Sequence, residues 1–245
     1  MRYNENQMRV LTLLSLIAGF FTMSLNAETT PEWMIPLRVA VYEQKLNAGE
    51  IEPLYFAAKT AAEEQYSGSD FDLAISRCEY FMGRAFQDNK QTEAARSRYK
   101  EGMRLAEKVA NTAPNAEAWL LLAQNLSQAC SLGPWTYTVA NGLNVEKYAK
   151  NALTFDRRNA AAQYLIAARW VFAPSPFNNI KKGIEMMEAI LQNGDTGKDD
   201  LFNVYSAIGY GYVQQKKYGD ARPWLQKSLE IYPTNKYAGE LLEKK

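Results

Sequence analysis

Apolar residues recur along this chain at three- and four-residue spacing, and no stretch longer than a few residues alternates strictly between apolar and polar. That pattern predicts helices throughout. It breaks at "SGSD", "TAPN", "DRRN", "NGDTG" and "YPTN", short clusters of the residues that end helices and open turns. Asn115, Asn159 and Asn235 each stand just before a periodic stretch, where an asparagine side chain can cap the first exposed amides. Two further helices are read in "PEWMIPLRVAVYEQKLN" and "IEPLYFAAKTAAEEQ", as a degenerate pair capping the N-terminal side, and "KYAGELLEKK" reads as a terminal helix with a polar face.

The helices come in pairs with shared slots. In "IGYGYVQQKKYGDARPWLQKSLEIYPTN" and its flank the sequence sets Tyr205, Ile208, Gly209 and Tyr212 on a first helix, then Ala221, Leu225, Ser228 and a closing Pro233 on a second. Small residues let paired helices approach, aromatics fill the space between pairs, and proline ends the second helix because it cannot continue the hydrogen-bond ladder. Weaker copies lie upstream. Met82, Gly83, Phe86, Ala95, Tyr99 and Gly102 form one, whose late Pro114 predicts a long second helix. Trp119, Leu122, Ala123, Leu126, Val145, Ala149 and Ala152 form another, and Ile166, Ala167, Trp170, Gly183, Met187 and Ile190 the third.

This set of slots resembles the tetratricopeptide-repeat superfamily, whose period is about 34 residues, over residues 72–235. The resemblance implies an all-α fold: a right-handed solenoid of about four helical hairpins, with extra N-terminal helices at 28–71 and a capping helix at 236–245. A narrower likeness, carried by "APNAEAWLLLAQNLSQAC", "ALTFDRRNAAAQYLIAARW" and "APSPFNNIKKGIEMMEAIL", is to exported repeat proteins of the TatT type, associated with TRAP transporters. Members of that type are usually lipoproteins, and no cysteine follows the apolar run near the start of this chain.

In such repeats the first helices line a concave surface. Carried over by slot, the resemblance places Arg77, Tyr80, Arg84, Gln87, Glu117, Gln124, Gln128, Tyr164, Phe172, Asn203, Tyr210 and Gln214 on it. Arg77 and Arg84, two turns apart on one face, could together receive a carboxylate, or each could pair with Glu79 or Asp88. Two insertions, "SLGPWTYTVANGL" and "APSPFNN", read as loops joining first to second helices in consecutive copies, so they should emerge at one edge. Trp135, Tyr137 and Phe177 then become neighbours, either as a binding rim or as plugs over the hairpin ends.

Charge and composition narrow the chemistry. The opening "MRYNENQMRVLTLLSLIAGFFTMSLNA" has arginines before an apolar run and a small residue at its end, and reads as a signal peptide cleaved after Ala27. The expected location is periplasmic or secreted, with no stable membrane insertion after cleavage. Removing that leader leaves basic and acidic side chains balanced, a composition without an electrostatic footprint for nucleic acid or for an anionic membrane surface. The chain has no histidine and two cysteines, Cys78 and Cys130, which removes Ser-His and Cys-His nucleophile pairs and histidine or cysteine-cluster metal sites. Adjacent acids such as Glu63 and Glu64 point in different directions on a helix. No phosphate loop, nucleophile elbow or metal motif is present. The expectation is a non-enzymatic binding or adaptor protein without cofactor or metal, with an enzyme using carboxylate, tyrosine or lysine chemistry as the third and least favoured reading. The binding protein would recognise a small ligand or partner protein, as a solute-transport accessory or, alternatively, as an envelope-assembly scaffold for extended client peptides. Helical register sets the two cysteines too far apart for a disulfide, so both are expected to be free.

Overall fold

In a computed structural model the described residues are 30–192 and 196–244; the expected leader, residues 1–27, lies outside them. After a 3-10 turn at Glu32–Met34 come eleven helices: α1 (Ile35–Glu43), α2 (Ala48–Gln65), α3 (Gly68–Asp88), α4 (Thr92–Thr112), α5 (Ala116–Leu132), α6 (Trp135–Phe155), α7 (Ala160–Phe172), α8 (Ile180–Leu191), α9 (Lys198–Gln214), α10 (Tyr218–Ile231) and α11 (Lys236–Leu242). No strand occurs among the described residues.

The helices start where the sequence places their caps. Asn115, Asn159 and Asn235 accept hydrogen bonds from the amides of Ala118, Ala162 and Ala238 at 2.8, 2.9 and 3.0 Å. Asn179 does the same for Lys182, and Asn47 forms a reciprocal capping box with Glu50. Each such cap contributes about 1 kcal/mol. The turns also repeat. Lys90 and Lys216 are left-handed, and the next residue's amide returns to Phe86 or Tyr212, so α3–α4 and α9–α10 turn alike.

Helices α3/α4, α5/α6, α7/α8 and α9/α10 pack as four hairpins. The first helices stack in series, α3 on α5 on α7 on α9, while α4, α6 and α8 each lean on the first helix of the next pair. This is a solenoid. Its hairpins close on the small residues that the pattern set there: a Cβ on Gly83 would lie 2.5 Å from the Tyr99 ring, and one on Gly209 would lie 2.5 Å from Leu225. Helix α11 covers the last pair by packing on α10 and α9, with Ala238 and Leu241 buried.

Two expectations change. "SLGPWTYTVANGL" is not a loop: only Gly133 and Pro134 break the chain, and α6 begins at Trp135. Pro134, with φ of −62°, presets the entry, and its carbonyl accepts from the amides of Tyr137 and Thr138 at 2.9 and 3.1 Å. "APSPFNN" is a true loop between α7 and α8. Helix α1, moreover, does more than cap one end, as the site below shows.

Cys78 and Cys130 are buried and unpaired, and burial pushes their thiols up to about 12 and about 11. Alkylation in denaturant without reductant should therefore add two labels per chain, whereas the native protein at pH 8 should label slowly because neither thiolate forms readily. The hairpin packing gives a second test by denaturant unfolding. Gly83→Ala drives a methyl into the fully buried Tyr99 and should cost about 1–3 kcal/mol. Gly142→Ala, inside α6 with open space around it, should gain about 0.5–1 kcal/mol.

Candidate functional site

The amphipathic face of α1 buries Leu37, Val41 and Tyr42, and those residues join one core with Phe81 and Met82 of α3 and with Phe202, Tyr232 and Ala238 near the far end of the chain. Tyr42 makes the connection. Its ring stacks on Tyr232 with centroids 4.9 Å apart, meets Phe202 edge-on at 5.6 Å, and receives the guanidinium of Arg84 at 4.5 Å. Its hydroxyl accepts from Asn203 at 3.2 Å, and its backbone carbonyl accepts from Asn235 at 2.8 Å. Thr234 donates to the carbonyl of Glu43, the Lys236 amide donates to Gln44, and Arg38 faces Asp199 at 3.7 Å. The two ends of the solenoid are thus held together across its first helices.

This closure surrounds Arg84. The side chain lies deep, within electrostatic reach of Tyr42, Tyr80, Tyr99, Tyr164 and Tyr232, yet it is only half-buried. Burial pushes the pKa of Tyr42, Tyr99, Tyr164 and Tyr232 upward, so at neutral pH these are uncharged phenols: π faces and hydrogen-bonding groups, not counter-ions. The nearby carboxylates are engaged. Asp88 accepts from the Gln44 amide at 2.7 Å, and Asp199 accepts the Tyr232 hydroxyl. Among the described residues, no hydrogen bond or ion pair joins a carboxylate to Arg84. A cavity of about 230 Å³ opens at the seam one turn further along α3, bounded by Gln44, Asp88, Lys236 and Tyr237.

The other residues expected on the concave surface divide by environment. Arg77 and Arg84 do not form a joint anion receptor, because Arg77 donates to Glu117 of α5 at 2.7 Å and is neutralised there. Nor does either pair with Glu79. That buried carboxylate takes the Tyr55 hydroxyl at 2.5 Å and Arg98 at 3.2 Å. Gln87 accepts from Tyr99 at 2.7 Å, a bond that fixes the hairpin. Tyr80 is buried, Tyr164 half-buried, and Asn203 is committed to Tyr42. Gln124 and Gln128 are half-buried on α5, Phe172 stacks on Tyr210 at 4.8 Å, and Gln214 is exposed at the end of α9. At the edge, Trp135 and Phe177 come together, centroids 6.1 Å apart, both more than half exposed. Tyr137 turns the other way, over Gly133 and against the core. The pattern missed Tyr42, Tyr232 and Asp199, which lie in the flanking helices or beside the turns; a signal was present only in the aromatic that ends α1's apolar face.

Comparison with known proteins places this geometry. No family model matches the sequence, and no curated protein does. Among solved structures, the thermophilic TPR protein TTC0263 of Thermus thermophilus superposes with a TM-score of 0.55 over 86% of this chain and 99% of its own, at 15% identity. The fold is that of a tetratricopeptide-repeat protein. A second such protein, YrrB, described as having an unusual peptide-binding site, aligns over 85% of this chain and 89% of its own at 12% identity, with a TM-score of 0.37, too loose to support an argument. The first superposition speaks to the tetratricopeptide fold alone.

If Tyr42 ties the ends together, Tyr42→Ala should lower unfolding free energy by about 3–5 kcal/mol, while Tyr42→Phe keeps the stacking and should cost about 1 kcal/mol for the lost Asn203 bond. Hydrogen exchange of the Tyr42→Ala protein should show α1 and α11 losing protection together. Loss confined to α1 would mean that the ends are independent.

Proposed function

We propose that this protein is a non-covalent binding or adaptor component whose closed concave face holds an acidic group of a small ligand or of a partner's side chain. One observation carries the reading: Arg84, a deep cation with accessible surface, has no carboxylate at hydrogen-bond or ion-pair distance among the described residues, Asp88 acting on it only through space, and is ringed by neutral tyrosines. A charge in such surroundings gains most from an anion supplied from outside, because the local dielectric strengthens the pairing and the phenols can satisfy the remaining acceptor positions. The leader-like opening sequence supports export to the periplasm or beyond, and the likeness to TatT-type proteins supports an accessory role in solute transport. Contact between the chain ends favours a compact ligand over the extended client peptide of an assembly scaffold, since it shortens the face along which a peptide could lie.

Native mass spectrometry of the protein purified from its own host tests this reading. Wild type should carry a bound acidic molecule or partner. Arg84→Gln should lose it, with affinity down about 10- to 100-fold, the worth of a hydrogen-bonded charge, while exposed Lys217→Ala should not. Equal retention by all three would remove Arg84 from the binding site.

A further inference from the structure

The N-terminal half of α6 is apolar where it faces outward. Trp135, Val139 and Leu143 recur every fourth residue and are 56, 56 and 64% exposed, and Phe177 joins the row beside Trp135. From Ser131 to Asn144 there is no charged side chain. Lysines flank the strip in sequence, and the ammonium of Lys182 lies 3.8 Å over the Trp170 ring. Lys147 continues the same row, and Lys181 and Lys182 follow Phe177 at the start of α8. The bias extends along the chain: residues 131–182 hold seven basic side chains and two acidic ones, although the whole chain carries a net charge of only +1. Glu146 is occupied by Lys150 and Arg169, and Glu185, one turn beyond Lys181, approaches it at 3.9 Å. Arg157 and Arg158 lie beyond the other end of α6 and are no part of the border.

We propose that this edge docks peripherally on an anionic phospholipid surface, with Trp135, Val139, Leu143 and Phe177 entering the headgroup boundary and the lysines pairing with lipid phosphates. Aromatic and aliphatic residues on one face, with flanking lysines, suit that environment because the rings occupy the interface while the cations meet surface charge. No helix among the described residues is long and apolar enough to cross a bilayer, so the contact is superficial. A second copy of the chain fits less well. A row one side chain wide cannot supply the roughly 800 Å² per partner of a standard interface, and a symmetric contact would set lysine border against lysine border.

Co-sedimentation of the protein purified from its own host with vesicles of 70:30 phosphatidylcholine and phosphatidylglycerol, against phosphatidylcholine alone, tests the proposal. Wild type should partition onto the anionic vesicles and come off in high salt. Lys181→Gln with Lys182→Gln should reduce partitioning roughly 25-fold, at about fivefold per lysine near an anionic surface. Val139→Ser with Leu143→Ser should reduce it at least about tenfold through lost apolar burial. Both pairs are exposed, so melting temperatures should stay within a few degrees. Partitioning indifferent to the variants or to lipid charge would overturn the proposal. So would absence of partitioning together with self-association that Leu143→Ser abolishes, which would assign the strip to a second copy. Binding at Arg84 is a separate measurement and stands or falls without this one.

Discussion

The tertiary structure turns on one side chain, Tyr42. A stack of hairpins is held locally, each pair touching its neighbours, so nothing in that scheme joins its ends. Tyr42 supplies the join by using every surface it has: one face on Tyr232, an edge on Phe202, a π face for Arg84, a hydroxyl for Asn203 and a carbonyl for Asn235. Partners from α1, α3, α9 and the turn before α11 meet there. An aromatic suits the role because it buries a large apolar area at little cost in side-chain freedom and keeps a polar handle for one directed bond. Closure also converts an open surface into a partly enclosed one, and that changes the electrostatics of whatever lies beneath.

Two charges, one buried and one half-buried, illustrate the difference. Glu79 sits in the joint between α2, α3 and α4 with a full complement: the Tyr55 hydroxyl, Arg98, and Lys59 at 3.7 Å. Its desolvation is offset by directed partners, and it ties three helices together. Arg84 has no equivalent set. It rests on the Tyr42 ring, and cation–π attraction replaces only part of the hydration a guanidinium gives up. The contrast separates a charge used for architecture from the one proposed to serve recognition. Arg77, similar by position in the repeat, belongs with Glu79 because Glu117 already answers it.

The legible and illegible parts of the molecule separate by the range of the interactions. Helix starts at Asn115, Asn159 and Asn235, the close approaches at Gly83 and Gly209, and the long α4 depend on residues a few positions apart, so their chemistry is visible in the string. The meeting of Trp135 and Phe177 was also accessible, since consecutive repeats place equivalent edges side by side. The Tyr42 junction was not. Asn203 and Asn235 lie 161 and 193 residues from it, and no local periodicity encodes that distance. The start of α6 misled for a different reason: Gly133 and Pro134 resemble the opening of a long loop, but proline is also at home at a helix entry, and packing against α5 decides between them.

Balanced net charge hid a further feature. Summed over the chain, the ions cancel, and a sum cannot report that the segment through α6 and α7 gathers cations around uncharged apolar residues. Segregation of this kind costs little in folding, because exposed lysines repel weakly through water and salt. It gives the molecule two surfaces with opposite requirements. The interior around Arg84 strengthens electrostatics by excluding water, whereas the α6 edge carries its lysines at an exposed surface, where an extended array of opposite charge holds them better than a single ion. Enclosure therefore suits the single compact anion proposed for the first surface, and exposure suits the many anions in a plane proposed for the second. A change in the Tyr42 closure would act on the interior alone, since Trp135 and its lysine border belong to α6 and the α7–α8 connection and take no part in that junction.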